Sequence, residues 1–359
     1  MESLRNMVNS GLSSVISLVV TQKPQEVLVS DLQAACVPVT VDACRTCANP
    51  CDVGHQEYPR MFMTDTISEM RGTIRPYMRQ VVISTGKADW VREVTDENGS
   101  LAHLLPRVVS AATVGSSPKQ PNTTYPPAES TTRVDILNSS HRSEDDGNHR
   151  VLVFPDYKVV MHVSPNANGA QELYRNAVSP SVGRIGAGSV TETGNVSSYP
   201  LRYACVILLC SHKRRDYRCH ISAPLLEASF CHALEGENWI VHYDLEDEDC
   251  MGLSLEDLEG TEKERDNFMA DKLREASEGT AHDQKMALIL KISHIGGHKF
   301  AGNVIIYTPQ GTGVWYGRVS PHEVPAVVKH TILEGKILPL LLRGGVNLNR
   351  GQGQSLLDW

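Results

Sequence analysis

Short apolar runs alternate with amphipathic stretches along most of the chain, which is the pattern of an α/β protein. In the second half, the apolar runs that predict strands lie at 203–210, 239–243, 286–292, 302–307 and 314–319. The stretches with helical spacing lie between and after them, at 224–234, 262–276 and 322–333. The resulting order is β-α-β-α-β-β-β-α, which is the order β-α-β-α-β-β-α expected of a thioredoxin-like unit with one further strand.

The first half has the same rhythm with fewer apolar residues. A helix and an entry segment are predicted at its start, followed by strands and one short helix, at 1–35, 80–84, 100–106, 151–154 and 157–163. This rhythm is compatible with a degenerate copy of the thioredoxin-like unit. Residues 110–149 are rich in Ser, Thr, Pro, Asn and Asp and contain one aliphatic run at 134–137, so most of this segment is predicted to be a disordered insertion.

The length of the chain predicts two domains. A chain of 359 residues exceeds the size of one typical hydrophobic core. The Gly/Ser-rich stretch 183–200 has the composition of a linker. We therefore predict a smaller-cored α/β domain at 1–195 with a cysteine-rich loop at 36–59, a thioredoxin-like domain at 200–345, and a flexible tail at 346–359.

Composition and charge exclude several classes of function. A formal net charge of −8 argues against general nucleic-acid binding. No apolar run approaches the roughly 20 residues that cross a bilayer. Nine cysteines, an odd number, favour metal or redox chemistry in an intracellular protein over a secreted disulfide framework. Residues 1–20 contain Glu2 and a single arginine, which favours an ordinary first helix and a cytoplasmic location over a mitochondrial presequence.

Two pairs of soft ligands form the strongest candidate site. Cys210 and Cys219 are separated by eight residues, and His294 and His298 flank an Ile-Gly-Gly tripeptide. Cys210 ends one predicted strand and His294 follows another, which is where open α/β sheets place their sites. Two thiolates and two imidazoles suit either zinc or an iron–sulfur cluster, and the x8 spacing departs from the usual zinc pattern. The basic segment 213–218 would offset negative charge at the site and could attract an acidic redox partner protein.

The residues around these ligands resemble the sucrase/ferredoxin-like family, and within it the fungal actin-patches-distal and altered-inheritance-of-mitochondria branch. The resemblance is carried by 210–219, by the sequence HIGGHKFAGN at 294–303 and by VWYGRV at 314–319, and more weakly by 44–90. It implies a thioredoxin-like ferredoxin domain that carries one 2Fe–2S cluster on two cysteines and two histidines.

Carried over by position, Cys210 and Cys219 would hold one iron, and His294 and His298 the other. The implied function is electron transfer or redox sensing, coupled to proton uptake at imidazole, rather than enzymatic conversion of a substrate. The alternative is an interaction protein that these four residues fasten around zinc, without a redox role.

A second cysteine group lies in the predicted loop of the first half. Cys44, Cys47, Cys51 and His55 form either a second metal site or, through Cys44 and Cys47, a redox-active pair of a thiol oxidoreductase. A set of reduced loop cysteines, with Cys36 upstream, is an equal alternative. The pattern leaves these interpretations open.

The last three residues, Leu357, Asp358 and Trp359, predict a docking site. A tryptophan that follows a polar, glycine-rich segment is expected to be exposed, and an exposed aromatic ring is a plausible anchor for a partner protein. The tripeptide resembles the signal by which the cytosolic iron–sulfur assembly targeting machinery recognises its clients. This expectation agrees with a cluster and with a cytoplasmic location.

Overall fold

A single mixed β-sheet of eleven strands runs through the whole protein. The computed structural model describes residues 25–48, 51–113, 131–186, 195–250, 252–279 and 284–359. The strand order is β11-β10-β9-β6-β8-β2-β1-β3-β4-β5, with β7 beside β8. Helices cover the sheet, and the prediction of an α/β fold of thioredoxin-like type is confirmed. No helix within the described ranges is both long and apolar enough to span a bilayer.

The first half begins with helix α1 and ends with a short edge strand, β5. Its elements are α1 (Gln25–Ala34), β1 (Arg79–Ser84), α2 (Leu101–Thr113), β2 (Val134–Ser139), β3 (His149–Phe154), β4 (Lys158–Val163), α3 (Ala167–Leu173) and β5 (Ser197–Pro200). The second half contains β6 (Cys205–Cys210), α4 (Tyr217–Gly236), β7 (Ile240–His242), α5 (Glu262–Glu278), β8 (Met286–Ile292), β9 (Val304–Tyr307), β10 (Gly313–Tyr316), α6 (Val324–Ala326) and β11 (Leu342–Val346).

The two halves repeat one arrangement of strands. In the first half, β1 pairs with β2 in parallel and with β3 antiparallel, and β4 and β5 continue antiparallel. In the second half, β6 pairs with β8 in parallel and with β9 antiparallel, and β10 and β11 continue antiparallel. The first half is therefore a copy of the second, and β7 with α5 is an addition to the second.

The halves join side by side at the centre of the sheet. Strands β2 and β8 meet antiparallel where Ser139 pairs with Ile292. On either side of this pair the contacts repeat, because the Ser293 hydroxyl accepts from the Asn138 backbone N–H (3.0 Å) and the Ser140 hydroxyl accepts from that of Lys291 (3.1 Å). The two halves therefore form one continuous sheet, and a local pseudo-two-fold axis at this junction relates one half to the other.

Burial follows the same symmetry. Apolar side chains on one face of each half pack against that half's helices, as shown by Val81, Val153, Ile207 and Ile289. The opposite face carries a core to which both halves contribute, including Val82, Leu152, Leu208 and Leu288. Helix α5 covers part of this shared core through Met269 and Leu273.

Three predictions about irregular segments need correction. Within 110–149, the described residues 131–149 contain β2 at the centre of the sheet, so the predicted disordered insertion is wrong for this part. The residues at 346–359 are not a loose tail, because Leu348 and Leu356 are buried and the Leu356 N–H donates to the Gly335 carbonyl (2.8 Å). The stretch 183–200 includes β5, which belongs to the sheet. The possible presequence at 1–20 and residues 114–130 lie outside the described residues.

Candidate metal centre

The sheet itself brings Cys210 and His294 together. Cys210 is the last residue of β6 and lies opposite Ile292, the last residue of the parallel strand β8. Parallel neighbours end at the same edge of a sheet, so His294, two residues further on, reaches the same point. The Cys210 Sγ and the His294 Nδ1 are 4.0 Å apart.

Cys219 reaches the same point from a helix. The helix predicted at 224–234 begins earlier, because α4 starts at Tyr217, where Asp216 caps it by accepting from the Arg218 backbone N–H (2.9 Å). Cys219 therefore lies in the first helical turn, where the positive end of the helix dipole favours a thiolate. Both cysteines are buried.

The basic residues of the segment 213–218 are largely neutralised by acids. Arg214 pairs with Asp89 (3.4 Å), Arg215 with Glu93, and Arg218 with its neighbour Asp216 (2.9 Å). These ion pairs reduce the positive charge that the segment is predicted to supply, and the remaining charge of Arg218 still acts to lower the pKa of Cys219 and of His298.

Cys210, Cys219 and His294 can each place one ligand atom within 4.8 Å of the others. The Cys219 thiol hydrogen-bonds to Cys210 and, together with His294, lowers the pKa of the Cys210 thiol well below its usual value, against the effect of burial. The pKa of Cys219 is raised because its proton is held in that hydrogen bond and because it is buried. The hydrogen bond between the two thiols therefore favours the loss of a first proton from the pair.

His298 lies next to this group and outside it. Its ring centroid is 5.5 Å from that of His294, and its side chain is exposed, unlike the two thiols. Partial burial, with the charge of His294, lowers the pKa of His298 and favours the neutral imidazole that a metal requires. The structure therefore brings three of the four predicted ligands together and places His298 beside them.

Arg343, which the sequence interpretation missed, supplies a buried positive charge beside this loop. It lies in β11 and is completely buried. Its guanidinium donates to neutral groups, namely the Gly296 carbonyl (3.2 Å), the Asn303 side-chain oxygen (2.8 Å) and the Thr73 hydroxyl (3.2 Å). No carboxylate in the described part of the chain pairs with it.

The guanidinium of Arg343 lies 5.9 Å from the ring centres of Phe300 and Trp315, and its nearest negative partners are the two cysteines when they are ionised. Burial lowers its pKa from 12.5 to about 10, and negative charge on Cys210 and Cys219 acts in the opposite direction. An unpaired buried cation is costly, so a nearby anionic group is its natural complement. A single arginine in the otherwise apolar strand LLRGGV was the available signal in the sequence.

The second cysteine group comes together with a different fourth member. The ligand atoms of Cys47, Cys51, His55 and His322 all lie within 4.8 Å of one another. Cys44 is not in this group; it packs against the core beneath the loop, and burial with the charge of Glu323 raises its pKa to about 11. A thiol that remains protonated is a poor nucleophile, which disfavours a redox-active Cys44/Cys47 pair.

The end of the chain presents an exposed ring. Leu356 is buried and fixes the segment, whereas Asp358 is exposed and the Trp359 side chain is 48% exposed. The guanidinium of Arg274 lies 5.8 Å from the centre of the Trp359 ring.

Comparison with known proteins places these sites in a family context. Residues 70–344 match the family model described as Sucrase/ferredoxin-like. The chain is 31% identical to Altered inheritance of mitochondria protein 32 of Clavispora lusitaniae over 139 residues, which are 39% of this chain and 34% of that protein. It is 34% identical to Actin patches distal protein 1 of Saccharomyces cerevisiae over 133 residues, 37% of this chain and 31% of that protein.

The matched part thus spans about a third of the length of each of these relatives. No solved structure matches the chain. The family match and the two groups of Cys and His residues together fit a metal-binding protein.

Proposed function

Because the chain belongs to the sucrase/ferredoxin-like family, we propose that it is an electron carrier or redox sensor with one 2Fe–2S cluster on Cys210, Cys219, His294 and His298. The observation that carries this proposal is the buried, unpaired Arg343 beside two buried thiols and an imidazole. When bound, the cluster would exchange one electron and allow proton uptake at an imidazole ligand.

The charge on Arg343 favours a redox centre over zinc at this site. A zinc ion with two thiolates and two neutral imidazoles is electrically neutral and remains so, which would leave the Arg343 charge uncompensated. In a redox centre with the same ligands, Arg343 becomes the counter-ion of the negative charge that reduction adds. Its position then stabilises the reduced state.

The exposure of the ligands suggests how charge reaches the site. The two cysteines and the Arg343 guanidinium are buried, so the sulfur side is shielded from water. The exposed His298 ring gives access to solvent protons and to a partner protein. Proton exchange and electron transfer would therefore both take place at the histidine side.

Metal and sulfide analysis, with anaerobic visible and EPR spectra, tests the proposal on the purified full chain. We expect about two irons and two sulfides per chain and a reduced signal of the mixed Cys/His type. Cys219→Ser is expected to lose the cluster, and Cys231→Ser, on the same helix α4 but outside the group, to retain it. A colourless protein that takes up zinc at Cys210 and Cys219, and neither iron nor sulfide, would overturn the proposal.

The proposal extends to location and partners. We infer that the protein acts in the cytoplasm, that it exchanges electrons with a partner protein, and that Leu357, Asp358 and Trp359 dock onto the cytosolic iron–sulfur targeting machinery. The exposed Trp359 ring supports this inference. Trp359→Ala is expected to lower iron occupancy in cells while reconstitution in vitro stays unchanged, with the exposed Gln352→Ala as control. Equal iron occupancy in both variants would contradict docking through this residue.

A further inference from the structure

The group Cys47, Cys51, His55 and His322 joins two distant parts of the chain. Its first three members lie in the irregular segment between α1 and β1, and His322 lies in the turn before α6. The Cys47 Sγ and the His322 Nδ1 are 3.3 Å apart although 275 residues separate them. The rings of His55 and His322 meet edge to face at 5.4 Å.

We propose that these four residues form a structural zinc site, which fastens the cysteine-rich segment to the start of the last helix. The site is separate from the one at Cys210 and does not depend on the cluster proposed there.

The ligand set and its dimensions fit a single zinc ion. Two thiolates and two imidazoles complete a tetrahedral shell with no open position, as in structural zinc sites. The Cys47-x3-Cys51 spacing falls within the usual range for such sites. Zinc–sulfur and zinc–nitrogen bonds of about 2.3 and 2.0–2.1 Å give ligand–ligand distances of roughly 3.3–3.8 Å. The Cys47–His322 distance matches this range.

Groups around the ligands orient them toward a common point. The His322 Nδ1 faces Cys47, while its Nε2 lies 3.7 Å from a Glu57 carboxylate oxygen, which is the carboxylate–histidine arrangement of many zinc sites. The Arg45 Nε donates to the Cys47 Sγ (3.2 Å), and the backbone N–H groups of residues 53–55 face the Cys51 sulfur. Both thiolates would thus be stabilised. His322 is 7% exposed, and the other three ligands are half-buried.

The position of the site connects it to the first centre. Immediately after it, the Tyr58 hydroxyl donates to the Val319 carbonyl (2.7 Å). Further along the same segment, Arg218 donates to the Met63 carbonyl (3.2 Å) and the Asp65 N–H donates to the Lys299 carbonyl (2.8 Å). Arg218 and Lys299 are the chain neighbours of Cys219 and His298. Zinc would therefore hold in place the segment that borders the first centre.

Metal analysis of the full-length protein, purified without chelators, tests the proposal. We expect one zinc per chain in addition to any iron, and X-ray absorption at the zinc edge of the unmutated protein should show two sulfur and two nitrogen ligands. Cys47→Ser and His322→Asn should lose the zinc and keep iron and sulfide, although the visible absorbance should fade faster in air. The exposed Cys36→Ser is the control and should keep the zinc.

Two results would overturn the proposal. One is a zinc-free protein in which mass spectrometry finds a disulfide between Cys47 and Cys51. The other is zinc that survives His322→Asn and is lost in Cys44→Ser, which would return the site to the set predicted from sequence. Because the readout is zinc, its failure leaves the iron and sulfide content of the first centre unaffected, and the two proposals can fail separately.

Discussion

The substitution Gly297→Ala tests whether the first metal centre depends on the position of Arg343. Gly296 and Gly297 both have a left-handed backbone, with φ of 75° and 65°. An alanine at either position therefore costs about 1–2 kcal/mol in backbone conformation. A Cβ at Gly296 meets nothing within 4 Å, whereas one at Gly297 lies 2.6 Å from the Arg343 Cζ. Gly296→Ala is thus a matched control that differs in the contact with Arg343.

The additional cost at Gly297 follows from the burial of Arg343. The guanidinium must move away from the new methyl group, and it then loses its hydrogen bonds to the Gly296 carbonyl and Asn303 without reaching water. Hydrogen bonds from a charged donor contribute about 1.5–3 kcal/mol each. We expect Gly297→Ala to lower the free energy of unfolding by about 3–6 kcal/mol more than Gly296→Ala does. Denaturant unfolding with unchanged m-values measures the difference.

The same perturbation should affect the reduction potential. A unit charge at roughly 8 Å in a medium of effective dielectric constant about 20 contributes about 2 kcal/mol. This is roughly 90 mV for a one-electron couple, and Arg343→Met should lower the potential by that order. Gly297→Ala should lower it by a part of this amount, and Gly296→Ala should leave it nearly unchanged. Equal stability and equal potential in the two alanine variants would refute a role for Arg343.

Three further predictions follow from the ligands and their surroundings. His294→Cys or His298→Cys should retain a cluster, lower its potential and flatten its pH dependence in protein-film voltammetry; unchanged pH dependence in both would count against histidine ligation. Glu57→Gln should weaken zinc binding roughly tenfold in a competition titration with a chelator, because the carboxylate orients His322, whereas an unchanged affinity would argue against that contact. Burial lowers the pKa of His141 to about 4, so the unfolded state binds more protons between that pH and about 6.5, and stability should fall by up to about 3 kcal/mol as the pH drops through this window. Urea unfolding of the protein and of His141→Gln at pH 7 and pH 5 measures this, and equal pH slopes would exclude His141 as the cause.

The ligands at strand ends could be predicted because their signals are local. Cys210 and His294 each follow an apolar run, and the runs are parallel neighbours in the sheet. The sequence predicts this helix only from residue 224, because proline favours the first helical turn, and Cys219 falls before that position. Asp216 begins the helix earlier, and Pro224 is accommodated inside α4. The start of this helix was therefore ambiguous between two local signals.

Arg343 and His322 could not be predicted because their roles depend on distant contacts. Arg343 donates to Thr73, Gly296 and Asn303, which come from three separate segments. His322 joins a cysteine 275 positions earlier. Strand β2 was largely missed for a related reason: its edges are polar because Asn138 and Ser139 serve the junction between the two halves of the sheet, so the strand lacks a continuous apolar run.

The repeated arrangement explains why we expect one redox centre per chain. In the first half, Ser84 ends β1 opposite Ser139, as Cys210 ends β6 opposite Ile292. His141 follows β2 by two residues, as His294 follows β8. The first half thus keeps an imidazole at the equivalent position and has a hydroxyl in place of the thiol, which is a much weaker ligand for iron or zinc. His141 is also fully buried and hydrogen-bonded at both ring nitrogens, to Ser139 (2.7 Å) and to the Arg150 carbonyl (3.1 Å). In the first half, His141 therefore stabilises the sheet through these hydrogen bonds. Iron analysis should accordingly give the content of a single binuclear cluster.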